Sequence, residues 1–331
     1  MRALWLNRFD LSGNTEAVIN WAEGVVRIRK EIKIHLVLVG IPADLFNVYE
    51  KFLGRIGLRY SLNINRQQIQ NLLYYQDFDF LHVFHPDLFG ISKELGSSFH
   101  IPWLANVFEE ERHVHFNLLH TANCIICCHS PALQAVKDYF YPYSKQNIFL
   151  IPQGVKVKPP DFSPSSSLNI LYAGPLEESH AASFQALRRT AQNLPSCFFA
   201  VTSRRNLFFP NVKYHPWNPD FSDFLAPYNI VAGFGYFLLQ GIAAGKIALI
   251  LEEGYGGIFS PLRQKQVPDF KARRHKESDP SIPKRLKQDL QKLHNNSPEM
   301  IRIQHDNWNY ARENHDLEIV AEKMARLYSY L

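Results

Sequence analysis

The sequence predicts an α/β protein built twice over: two successive domains, each a parallel sheet wrapped by helices. Three observations carry this. Short apolar runs of strand character alternate with helical patterns, the alternation that parallel βαβ sheets produce. That alternation stops at a proline- and serine-rich stretch and then restarts. A chain of 331 residues, at roughly 150 residues per domain, is also enough for about two domains that each bury a core.

In the first half the strand-like runs are residues 3–6, 34–39, 80–84, 103–107, 124–128 and 148–151. After the first of them, Val18, Trp21, Ala22, Val25 and Val26 recur at helical spacing, one buried stripe behind a start that Asn14 or Thr15 can cap. Following Pro152-Gln153-Gly154, residues 159–167 hold three prolines and four serines, the clearest linker in the chain. Strand runs resume at 168–172, 197–202, 230–232 and 247–251, with a helix over 181–193. A helical stretch near 300–314 precedes a last helix, capped by Asp316, whose Leu317, Val320, Ala321, Met324 and Tyr328 form one stripe. The expected limits are a first domain 1–157, a linker 158–167, a second domain 168–305 and carboxy-terminal helices 306–331.

Composition narrows the class. With 46% hydrophobic and 20% charged residues the chain is not disordered. The longest apolar stretches, such as 242–251, fall short of the ~18 to 20 residues of a membrane span. The first residues carry too short an apolar run for a secretory signal, so a cytoplasmic protein is expected. The 36 basic and 31 acidic residues are interleaved, which is no nucleic-acid footprint. The densest basic stretch, 271–287, reads as a solvated loop and helix start, with peripheral contact to an anionic membrane face as the second reading. Cys124 and Cys127 sit three apart in a strand and point to opposite faces, so no metal is expected and the four cysteines read as reduced thiols.

In open α/β sheets ligands bind outside the carboxyl ends of the strands. The residues there are Gly13 after the first strand; His82, His85 and Asp87 at and beyond the third; Glu109 after the fourth; Gly174; Arg204 and Arg205; and Gly233-Phe234-Gly235. A Gly-x-Gly turn before a helix lets backbone approach a ligand and leaves helix N–H groups facing it, which suits a phosphate. Each has a plainer reading as well: turn glycines, a structural histidine, solvated arginines and a solvated acidic turn.

Taken together these pieces resemble, in order, the retaining GT-B glycosyltransferases of family 4, the "group one" kind. The resemblance lies in Gly233-Phe234-Gly235 with Gln240-Gly241 and Gly245-Lys246, in residues 122–130 and 148–155, in Leu171-Tyr172-Ala173-Gly174, and in residues 308–314 with the helix after them. It implies two Rossmann-like domains facing across a cleft, with the last helix packing back on the first domain. It implies a nucleotide-sugar donor, of UDP or GDP type, as substrate rather than cofactor, and a glycan, lipid-linked or protein acceptor. By that resemblance Gly174, His180, Gly233, Phe234, Gly235 and Gln240 face the donor and His82 or His85 touches the sugar; from their places in the chain Gly13, Arg204, Arg205, Gly256 and Gly257 are expected on the donor side and Asp87 and Glu109 on the acceptor side.

The chain departs from the family at four points. Ala232 and Gln240 stand where the family has glutamates, and Pro175 and His180 stand where it has a diphosphate-binding arginine and lysine. Gln240 keeps an acceptor, and His180, Arg204 or Arg205 would have to replace the lost charge. A GT-B-like binding or partner subunit with a degenerate donor site is the alternative, and a nucleotide-sugar epimerase, which would turn over without an acceptor, is a third reading.

Overall fold

The computed structural model describes residues 1–10, 13–108, 116–140, 147–160, 162, 167–174, 176, 178–194, 197–203, 212–252, 254–261 and 281–330. In chain order the elements are β1 (Arg2–Arg8), α1 (Asn14–Ile28), β2 (Lys33–Val39), α2 (Ala43–Ile56), β3 (Arg59–Leu62), α3 (Arg66–Tyr75), β4 (Phe80–Val83), α4 (Phe89–Phe99), β5 (Trp103–Val107), α5 (Phe116–Leu119), β6 (Cys124–Cys127), α6 (Ser130–Phe140), β7 (Asn147–Leu150), β8 (Leu168–Ala173), α7 (Glu178–Gln192), β9 (Cys197–Ser203), β10 (Lys213–Pro216), β11 (Ile230–Gly233), α8 (Gly235–Ala243), β12 (Ile247–Leu251), β13 (Tyr255–Ile258), α9 (Ser281–His294), α10 (Ser297–Asn314) and α11 (Leu317–Tyr328). They form two compact units. The first takes Met1–Asp10, Asn14–Gly154 and Leu317–Leu331; the second takes Leu11–Gly13 and Val155–Asp316.

The first unit is a parallel sheet in the order β3-β2-β1-β4-β5-β6-β7. Its central strands are apolar on both sides, as strands covered by helices on both faces must be. Leu4 and Leu6 join Val83, Ala105 and Ile125 in one core with Phe89, Leu95 and Phe116, while Trp5, on the other face of β1, meets Phe84 and Tyr328. That second face is covered by α1 and α11. A methyl group added at Gly24 of α1 would lie 2.9 Å from Leu317 and 3.1 Å from Ala321, so the glycine allows the two helices to pack closely. Arg27–Glu318 at 3.2 Å and Arg29–Glu322 at 2.6 Å rim the contact.

The second unit is a sheet in the order β10-β9-β8-β11-β12-β13, parallel except for the β12–β13 pair. Its core joins Ile170, Tyr172, Ile230, Ala232, Leu249 and Tyr255 to Phe184 and Leu187 of α7 and Leu286 and Leu290 of α9. No helix among the described residues is long and apolar enough to cross a membrane.

Two expected limits lie elsewhere in the structure. The second unit extends to Asp316 rather than 305, because Met300 and Ile303 of α10 join its core and Asn307 Nδ2 bonds Lys246 O at 3.4 Å. The first residues of the expected linker are bonded to the second unit: Lys158 donates to Ala243 O at 3.4 Å and accepts from Trp308 Nε1 at 2.8 Å, and Phe162 packs on Trp308 and His305. The first unit ends at Gly154, since Val155 already bonds His315 O and pairs with Asp316. Strands β3, β10 and β13 lie outside the expected runs. The first two are short, partly polar edge strands, and β13 closes a hairpin at the opposite edge of the second sheet.

Candidate active site

Both sheets reverse their strand order once at the centre, between β1 and β4 in the first unit and between β8 and β11 in the second. The crevice outside the carboxyl ends of such a strand pair is where open α/β sheets bind ligands. Several of the predicted residues lie at these two points.

In the second unit, Gly174 follows β8 and Gly233-Phe234-Gly235 joins β11 to α8. Gly233 pairs with Ala173 across the strands at φ 150, and a methyl group there would stand 2.2 Å from Ala173 O, so only glycine fits. Phe234 is the N-cap of α8, and its side chain gives the helix no capping hydrogen bond. Gly174 lies beside it: a methyl group there would be 3.5 Å from Phe234 Cε1. Gly13 belongs to the same unit and lies against the first turn of α8, where a methyl group would be 2.9 Å from Tyr236 Cβ. A helix N-terminus behind closely approaching glycines is the arrangement that suits an anion.

Two buried polar atoms accompany it. Gln240 of α8 is 6% exposed and its Oε1 has no partner among the described residues; the same holds for Thr202 Oγ1, at the carboxyl end of β9 and paired with Ala173. Buried polar atoms in folded proteins are nearly always bonded, so acceptors without a partner among the described residues are suited to a ligand's donor. Ala232, in contrast, is fully buried within the apolar core, and an acid there would be desolvated among leucines and isoleucines. Gly257 pairs with Ile250, which pairs with Gly233, so it is level with the glycine turn and two strand spacings, roughly 10 Å, away. Gly256 precedes it in β13. His180 is in the first turn of α7. Arg204, Arg205 and Glu109 lie outside the described residues.

The first unit places side chains, not glycines, at its reversal. His85 caps a 3-10 turn over Pro86–Leu88, and its Nδ1 accepts the Asp87 N–H at 3.2 Å. Asp87 Oδ2 accepts from Arg8 Nη1 of β1 at 2.6 Å. Arg8 is the functional candidate missed in the sequence. It ends the strand beside β4 and so sits at the reversal, but strand order has to be known before that position has meaning.

His82 is corrected. It is 0% exposed, the third residue of a strand covered on both faces. Its ring lies 5.2 Å from Trp5 and 4.0 Å from Phe84, and Nδ1 is 2.6 Å from the Tyr328 hydroxyl of α11. Burial holds its pKa well below 6.5, so it is a neutral structural residue tying α11 to the sheet. Near the same sheet edge, Glu16 in the first turn of α1 is buried and accepts from the Tyr49 hydroxyl; burial pushes its carboxyl up to about 8.

No protein-family model and no curated protein matches the chain. Solved structures do match, over the full length. The Anabaena protein Alr3699/HepE in complex with UDP and glucose is 13% identical, covers 100% of both chains and superposes with a TM-score of 0.72. The pneumococcal O-GlcNAc transferase GtfA in complex with UDP and GlcNAc is 10% identical at a TM-score of 0.72, covering 100% of this chain and 99% of that one. The S. aureus MnaA–UDP structure is 10% identical at a TM-score of 0.64, covering 99% and 96%. The fold is therefore the GT-B architecture. Identities this low establish the fold alone, because fold does not fix chemistry.

Proposed function

We propose that the chain is a hexosyltransferase-type glycosyltransferase that moves a sugar from a nucleotide-sugar, of UDP type, to a glycan, lipid-linked or protein acceptor. The observation that carries it is the turn into α8: a glycine that can be nothing else at Gly233, the helix N-terminus directly after it, and Gln240 Oε1 buried on the same helix with no partner among the described residues. HepE and GtfA, of the same fold, hold UDP together with a sugar. In this reading the second unit takes the donor. Its diphosphate lies on backbone N–H groups of Gly235 and the first turn of α8, and Gln240 accepts from a ribose hydroxyl. His180, Arg204 and Arg205 supply positive charge in place of the missing arginine and lysine. The first unit takes the acceptor, with His85 as the histidine that touches the sugar and Asp87 and Glu109 beside it. Retention of anomeric configuration follows from the family-4 resemblance, and no cofactor is required.

Preorganised donors of this kind each contribute about 3 to 4 kcal/mol to a developing charge, so the loss of both family cations has to be offset by substitutes. Titration calorimetry with UDP, GDP, UDP-glucose and UDP-GlcNAc tests the reading. Micromolar binding of one of these nucleotides is the expected result; no binding at millimolar concentration of any of them overturns it.

The buried Ala232 favours a second reading, a GT-B-like partner subunit without transfer activity, and the same titration separates the two. MnaA shares the fold, so UDP-GlcNAc incubated without acceptor and followed by NMR tests for epimerase activity: a new sugar epimer would replace the transferase reading. We place the chain in the cytoplasm, a reading supported by its four free cysteines, with residues 271–287 as the segment for any membrane contact.

A further inference from the structure

Helix α3 carries an outer face that is left to solvent. Its inner stripe, Ile69 and Leu73 with Leu72, packs into the core of the first unit. On the other side Tyr74 and Tyr75 are 76% and 79% exposed and touch each other, with ring centroids 5.1 Å apart at an interplanar angle of 86°. Single exposed apolar residues are ordinary, but two adjoining rings at one end of a helix make a patch. Amide side chains share this surface. Gln67 Nε2 donates to Asn71 Oδ1 at 3.3 Å, one turn along the helix, and Asn71 stands three and four residues before the two tyrosines, the spacing of neighbours on a helix surface. Gln70 stands four before Tyr74 in the same way. Charge is sparse: of the 10 residues of α3 only Arg66 is charged, and Glu94 of α4 holds it at 2.5 Å. Asp77, exposed just beyond the helix, is the next charged residue along the chain.

That composition selects one class of ligand. A nucleic acid or an anionic membrane is met by clustered basic side chains, and an amphipathic helix by an apolar groove. A neutral sugar asks for what α3 offers. The C–H face of a pyranose stacks on the face of an aromatic ring, and its hydroxyls, each both donor and acceptor, pair with amides that are both as well. We propose that the outer face of α3 is a binding site for a neutral oligosaccharide, held by stacking on Tyr74 and Tyr75 and by hydrogen bonds to the amides of Gln67, Gln70 and Asn71. Helix α3 runs back from the carboxyl end of β3 to the amino end of β4, so the tyrosines lie at the opposite end of the first sheet from Arg8, His85 and Asp87. The site holds a glycan without acting on it. Its use, keeping an acceptor chain at raised local concentration, rests on the transferase reading; the binding itself does not.

Calorimetric titration of the full chain with maltoheptaose, cellohexaose, chitohexaose and xylohexaose tests the site, with UDP titrated alongside. At least one of these glycans is expected to bind with a millimolar or lower dissociation constant. Tyr74→Ala and Tyr75→Ala each weaken that binding roughly three- to tenfold and the double variant removes it, whereas Tyr74→Phe and Tyr75→Phe keep most of it, because stacking needs the ring and not the hydroxyl. Thermal midpoint and UDP affinity stay at their wild-type values throughout, since both side chains lie outside the core. Failure of all the glycans to bind overturns the proposal, and so does a double variant that binds as the wild type does. A double variant whose thermal midpoint falls by several degrees makes the pair structural, and self-association in sedimentation that the double variant abolishes makes the face a contact between copies; either result overturns the proposal as well. Wild-type protein that binds a glycan but no nucleotide removes the transferase reading and leaves this site in place.

Discussion

The two sheets reverse their order in the same way and then furnish the reversal with opposite chemistry. The second unit builds with backbone: Gly233 lets β11 pass close to Ala173 O, Gly174 lies against the Phe234 ring, and the side-chain atoms Gln240 Oε1 and Thr202 Oγ1 are buried and neutral. The first unit builds with ionisable side chains: Arg8, Asp87 and His85 at the strand ends, and Glu16 in the first turn of α1. The difference shows how one topology can carry two kinds of site. In the proposed reading, fixed dipoles that no proton can switch face the diphosphate, and groups whose donor or acceptor character can be set face the sugar hydroxyls.

The sharpest way to break the comparison is Gly233→Ala. Its methyl group would enter Ala173 O, so the β8–β11 edge must move; a loss of about 3 kcal/mol or more is expected, with UDP binding abolished in calorimetry. A variant that folds and binds UDP normally would show that the glycine turn is not built as described.

The first unit, in contrast, should respond to pH. Glu16 has its pKa raised from 4.5 to about 8 by burial, so between those values the folded chain holds a proton that the unfolded chain has released. Stability therefore falls as pH rises through that window, by a few kcal/mol at most, and levels off above it. Glu16→Gln is expected to flatten the decline in thermal midpoint between pH 5 and 8. A decline that persists unchanged would place its origin elsewhere.

Smaller effects sharpen the contrast between structural and functional polar groups. Tyr328→Phe leaves His82 Nδ1 buried without its partner and should cost about 1–3 kcal/mol in denaturant unfolding while leaving UDP binding unaltered. Gln240→Leu should do the reverse. It removes an orphaned acceptor, so stability holds or rises slightly, while UDP affinity falls about tenfold.

The alternation of apolar runs with helical stripes made the α/β class and its repetition legible, because strands covered on both faces must be apolar and the restart after residue 167 is a break in pattern. Edge strands β3 and β10 escaped, since residues that face solvent carry no such pattern. The glycine turn at 233–235 was legible because glycine is chosen for what other residues cannot do there. The histidines were not. His82 and His85 are three apart, and nothing in the spacing tells that one is sealed beneath α11, 246 residues later in the chain, and the other is 16% exposed at a strand end.

By itself, then, the sequence determined local matters: which segments are strands and helices, where a glycine turn opens a helix, and that no run is long enough to span a bilayer. Tertiary structure alone decided which strands are neighbours, and with that everything depending on distance between remote residues. Arg8 meets Asp87 because β1 lies beside β4, and α11 joins the first unit because Gly24 lets Leu317 approach. The physical reason is range. Backbone preference and hydrophobic period act over a few residues, whereas pairing, burial and protonation depend on which parts of the folded chain are brought together.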